Sequence, residues 1–109
     1  MSEVLGVFEQ AVMVGVMHLR GEGYGRTILK EVQARLDRDV AASAVYATLD
    51  RLEDKGLVRS REGKATPERG GRAKRHFSIT PAGVRALNHS KAAANNIWRG
   101  LSWPLKEPS

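Results

Sequence analysis

Between Arg59 and Arg75 the chain sets seven cations, at positions 59, 61, 64, 69, 72, 74 and 75, against two acids, Glu62 and Glu68. That window carries +5 of the formal net charge of +6. Cations strung along a loop suit a polyanion, and the excess of one sign argues against an ordinary solvated face, where both signs mix. Glycines at 63, 70 and 71 would let the loop bend close to a phosphate backbone, with Lys64, Arg69, Arg72, Lys74 and Arg75 as the contacting charges. Immediately upstream, Ser43, Tyr46, Ala47 and Arg51 fall on one side of a helical repeat. Small and hydrogen-bonding groups in that arrangement are what base edges in a major groove require.

Other chemistries find little support. The chain has no cysteine, which removes disulfides, thiol nucleophiles and Cys-ligated zinc, and fits a reducing compartment. His18, His76 and His89 lie in separate segments without ligand spacing, and no Ser, His and acid form a nucleophile arrangement, so neither a metal site nor an enzyme is expected, and no cofactor. The three alternate glycines at 21, 23 and 25 lack the spacing of a dinucleotide fingerprint or P-loop, and no strand precedes them; they read as a turn between helices. The longest apolar run, 11–17, is far below the roughly 20 residues of a membrane span. Glu3 and Glu9 stand where a secretory leader would be basic, so we expect a cytoplasmic protein without a membrane.

The elements that must position these residues follow from periodicity. At 109 residues with 41% hydrophobic content, one domain with a modest core is expected. Residues 7–20 read as a helix apolar nearly all round, which must be buried on two sides, the second against another subunit. Residues 27–36 form an amphipathic helix on Ile28, Leu29, Val32 and Leu36, and 37–39 a polar turn. The next helix begins near Ala42 or Ser43 and stops at Gly56; Val45, Leu49 and Leu52 form its core stripe, with Ala44 and Thr48 beside it. Residues 57–61 and 75–79 read as a hairpin, Phe77 and Ile79 alternating with His76 and Ser78. Thr80-Pro81 is a strong helix start, and the last helix should run to about residue 101.

The expected fold is therefore mainly α with a small antiparallel β-hairpin: two helices joined by a tight turn, then the hairpin, a winged helix-turn-helix. The domains are expected to divide as 1–80 for a winged helix-turn-helix unit that binds DNA, 81–103 for a C-terminal helix and 104–109 for a tail. Four blocks carry a family resemblance: LGVFEQAVMVGVMHL at 5–19, YGRTI at 24–28, AVYATLDRLEDKGLVRSR at 44–61 and ERGGRAKRHFSITPAG at 68–83. Together they resemble the PadR family of bacterial transcriptional regulators, in the short form with a single C-terminal helix. The resemblance implies a homodimeric repressor that contacts double-stranded DNA through the third helix and the wing and dimerises through the last helix, helped by the first. Where the family usually has Ser and then, two positions on, Gly before AVY, this chain has Ala41 and Ser43, and the capping role is expected to move to Ser43.

Plainer alternatives stand beside several of these readings. Tyr46 suits a phosphate contact or simple packing, and Arg51 either DNA or an ion pair with Asp54 three residues on. Trp98 is either a plug in the dimer interface or, since some short PadR-like dimers resemble multidrug sensors, one wall of a pocket for a planar aromatic effector with Phe8 and Met13, and with Trp103. A winged-helix module docking an acidic protein partner is the alternative to DNA as a whole.

Overall fold

The computed structural model describes residues 4–63 and 74–109. Helix α1 spans Val7–His18, capped where the Gly6 N–H donates to Glu9 Oε1 at 3.1 Å. The same carboxylate lies at the positive end of the helix, where it is favoured. The helix stops two residues short of expectation because the chain turns left-handed at Arg20 and Gly21 (φ 54° and 81°). Its inner face, Val12, Met13 and Val16, is fully buried, whereas Val7 and Met17 remain exposed.

The glycine-rich connection is more than a turn. Gly23–Tyr24 forms a short strand, β1, before α2 begins at Gly25 and runs to Leu36. With β2 (Val58–Glu62) and β3 (Arg75–Ile79) it makes a three-stranded antiparallel sheet in the order β1-β3-β2. Gly23 lies opposite Phe77 and Tyr24 opposite His76, while Ser60 faces Phe77 from the other side. The expected two-stranded hairpin is thus extended by a strand too short to show any alternation. Helix α2 starts two residues earlier than expected because Thr27 Oγ1 accepts from the Tyr24 N–H (3.0 Å) and donates to the Tyr24 carbonyl (3.1 Å), which makes Tyr24 the cap.

Helix α3, Ala42–Asp54, opens at Ala41 without a side-chain cap. Ser43 lies inside the first turn, so the capping role expected of it is not taken up; the extended backbone of Ala41 (φ −70°, ψ 137°) alone begins the helix. The C-terminus is closed as Gly56 promised. Gly56 adopts φ 76°, its N–H bonds to the Glu53 carbonyl, and the Leu57 N–H reaches back to Leu52 (both 2.9 Å), satisfying two end carbonyls. The same turn is bolted to helix α4, Pro81–Ile97: Thr80 Oγ1 accepts from the Gly83 N–H (3.0 Å) and donates to the Gly56 carbonyl (2.6 Å).

The core lies where α1, α2 and α3 meet the sheet, with Ile28, Val32, Val45, Leu49 and Val58 enclosed and Phe77 nearly so. The N-terminal segment joins it through the Leu5 N–H, which donates to the buried Ser90 Oγ on α4 at 2.8 Å. Only the first half of α4 packs this way. From Lys91 onward nearly every residue is exposed, and the helix ends at Ile97, about a turn before the expected 101, with Gly100 left-handed just beyond (φ 85°). The molecule measures 62 × 33 × 20 Å along its principal axes.

Candidate nucleic-acid interface

Helix α3 divides into two faces. Val45, Thr48, Leu49 and Leu52 are buried, while Ser43, Tyr46, Ala47 and Arg51 are all exposed on the opposite side. Ala44, expected beside the apolar stripe, is exposed as well. The period of 3.6 residues is responsible: once the stripe is packed, the residues between its members must face out. Arg51 donates to Thr48 Oγ1 at 3.0 Å, so its helix-surface partner is the threonine three residues before it. Tyr46 is 48% exposed, and one side of its ring rests on the start of α2. It lies on Gly25, where an added Cβ would stand 2.1 Å from Tyr46 Cε1, so only glycine permits the contact.

Beside α3 stands the base of the wing, and two polar braces hold it there. Glu53, on α3, accepts from the Ser60 N–H (3.2 Å) and Ser60 Oγ (2.6 Å) of β2, and its other oxygen lies 4.0 Å from Arg75 on β3. Arg61 on β2 donates to the Gly21 carbonyl (3.2 Å) and to Glu22 (3.4 Å) in the turn before β1. Lys74 sits with its ammonium 4.0 Å from the centre of the Tyr24 ring, a cation–π contact. The remaining wing residues expected at the site, Lys64, Arg69, Gly70, Gly71 and Arg72, lie outside the described residues.

An exposed face of small and polar groups on the second helix of a pair, with a hairpin braced beside it, is the arrangement of a winged helix-turn-helix. The family model described as the transcriptional regulator PadR-like family matches residues 13–89. The chain belongs to the PadR-like family of transcriptional regulators. These proteins are regulators of transcription, not enzymes. No curated protein matches the chain. Among solved structures it is similar to a PadR family transcriptional regulator from Eggerthella lenta, with 26% identity, 82% of this chain and 75% of the other covered, and a TM-score of 0.65. A PadR family regulator from Clostridium difficile shares the fold at 22% identity, covering 84% and 91%, with a TM-score of 0.65. So does part of the Aeropyrum pernix ORC1 protein, solved in complex with DNA, at 20% identity over 84% of this chain and 26% of the other, with a TM-score of 0.63.

Within this PadR-like chain the residues expected to line an effector pocket fall in different surroundings. Met13 is fully enclosed in the core (0% exposed) and so offers no wall to a ligand within a single chain. Phe8 is partly buried against that core, whereas Trp98 caps the exposed end of α4 and meets Trp103 edge-on, ring centres 5.3 Å apart. Among the described residues no three His, Asp or Glu converge as metal ligands, and no helix is long and apolar enough to cross a membrane. Tyr24, Gly25 and Arg26, quoted above only as part of a family block, are carried by the fold beside Tyr46 on the exposed side of α3. Their signal was the YGR triplet directly after the chain break, and nothing in its charge linked it to a wing some fifty residues away.

Proposed function

We propose that the protein is a sequence-specific DNA-binding repressor of the PadR-like family, acting as a homodimer in a bacterial cytoplasm. In this reading α3 enters the major groove and the wing follows the adjacent phosphates. The observation that carries it is the exposed row Ser43, Tyr46, Ala47 and Arg51 on α3, flanked by a braced hairpin base. The structurally similar ORC1 protein, solved in complex with DNA, supports DNA as the partner. The uncovered apolar side chains at the end of α4, Ile97 and Leu101 with Trp98, support dimerisation through that helix. Two half-sites one helical turn apart, ~34 Å, would match such a dimer. Trp98 is also the residue through which a planar aromatic effector would be sensed, and such an effector would release the DNA.

The test is a titration against the DNA upstream of the protein's own coding region at two salt concentrations. Binding should be tighter than to a scrambled duplex and should weaken steeply with salt. Replacing Arg72 and Lys74 together with alanine should weaken binding to both duplexes and reduce the salt slope by ~0.9 for each phosphate no longer neutralised. An unchanged slope would remove the wing from the interface, and equal affinity for both duplexes would remove sequence recognition.

A further inference from the structure

Helix α4 is fastened to the domain by hydrogen bonds at two places. At its start Thr80 ties the first turn to the Gly56 carbonyl. The second place is Ser90, 1% exposed, whose hydroxyl accepts from the Leu5 N–H (2.8 Å) and donates to the Ala86 carbonyl one turn back (2.8 Å). Leu5 is held from two further sides. Its side chain is buried in the core, and its carbonyl accepts from Gln10 Nε2 on α1 at 2.9 Å. Ser90 therefore joins α4 to α1 through one residue of the N-terminal segment. Among the described residues it is also the last on α4 to bond outside its own helix, and beyond it only Ala93 is less than exposed. From Lys91 to Ile97 the helix then rises about 10 Å with no support from the domain.

We propose that Ser90 is a positioning residue: it sets the angle of the projecting half of α4, and through that angle the separation of the two α3 helices in the dimer. The proposal rests on the homodimer reading above, in which the projecting halves of two copies meet. Between Thr80 and Ser90 the helix touches the domain through small residues, Ala82, Gly83 and Ala86, with Leu87 half-buried. Such contacts allow close approach but resist a tilt less than a directional bond at the far end of the packed half. The hydroxyl has one proton and two lone pairs to give; the proton goes to Ala86 and a lone pair to Leu5, so both roles are in use. A change of angle at Ser90 is carried outward to the partner and repeated there by the two-fold axis. The spacing of half-sites that the dimer can span, ~34 Å, then depends on this one tie.

The chain has no cysteine, so Lys30→Cys, at an exposed position of α2, gives one spin-label site per protomer. In that background the distance between the two labels of a dimer is measured by double electron–electron resonance, first with no other change and then with Ser90→Ala, Leu5→Ala or Asn88→Ala. Asn88 is exposed on the same turn as Ser90 and takes no part in the tie. Ser90→Ala should broaden the distance distribution well beyond that of the parent. Leu5→Ala, which leaves α4 unchanged and unseats the segment that holds it, should do the same, and Asn88→Ala should match the parent. All should sediment as dimers. The two broadened variants should lose affinity for the duplex from upstream of the coding region but not for a scrambled duplex, because only site-specific binding needs both α3 helices at a fixed separation. An unchanged width in Ser90→Ala would show that the arm is held without the tie. Broadening in Ser90→Ala but not in Leu5→Ala would place the effect in the helix itself. Broadening with no loss of affinity for the upstream duplex would show that the angle does not set the separation DNA requires. Each of these three results overturns the proposal, and should Ser90→Ala fail to fold, Leu5→Ala decides it. If the parent sediments as a monomer, the homodimer reading fails and the proposal with it, a result distinct from a dimer of unchanged width.

Discussion

Gly83 shows how a single position can carry a junction. A Cβ built there would stand 2.1 Å from the Leu57 carbonyl oxygen, and neither backbone can yield because Thr80 ties both sides together. The glycine therefore serves close approach, letting the first turn of α4 rest on the turn that ends α3. Gly83→Ala should destabilise the fold by about 1–3 kcal/mol, the usual cost of forcing extra volume into a packed site. A lowered denaturant midpoint with unchanged slope would bear this out, and an unchanged midpoint would mean that the junction relaxes freely. At this scale the TPAG run was half legible. Thr80 as cap and Pro81 in the first turn follow from residue type, but the need for glycine at 83 comes from a carbonyl 26 positions away. Ser43 teaches the converse. Its residue type suggested a cap, yet the backbone begins the helix at Ala41 and leaves the serine on the exposed face.

Among the elements, α3 and the hairpin share the core through Leu49, Leu52 and Val58, and Glu53 adds a polar brace between them. Its carboxylate accepts two bonds from Ser60 and faces Arg75, so one side chain braces β2 and β3 against α3. Glu53→Gln removes the charge that shortens the Ser60 contact. Stability should fall by about 1 kcal/mol, the usual net worth of such a bond. DNA affinity should fall further than stability explains, because the wing would no longer be held in register with α3. Equal affinity in the variant, measured on the same upstream duplex, would show that the wing finds its position without the brace. Helices α1 to α4 were legible as elements because each carries a stripe of apolar residues with a stop beyond it. Strand β1 was not. Two residues, one of them glycine, have no alternation to display, and they become a strand only because β3 offers them hydrogen-bonding partners.

Taken as a whole, the molecule is a packed winged domain with half a helix standing clear of it. Ile97 is 76% exposed and Leu101 59%, and Trp98 and Trp103 cover one another only in part. Apolar groups gathered on a projecting arm usually mark an interaction surface. In the homodimer proposed above they would be covered by a second copy. Leu101→Glu should then yield monomers by sedimentation and weaken DNA binding at least about tenfold, since two half-sites would no longer be engaged together. A dimer that survives this change would move the interface elsewhere. The sequence by itself determined the helical elements, the inward and outward faces of α3, the basic hairpin and the family, because periodicity, capping residues and charge are local properties. Only the tertiary structure decided that Gly23 and Tyr24 join the sheet, that Met13 is sealed in the core, and that Arg26, Tyr46 and Lys74 share one cleft. Those relations join residues far apart in the chain, and no local pattern records which distant surfaces will be brought together when the core closes.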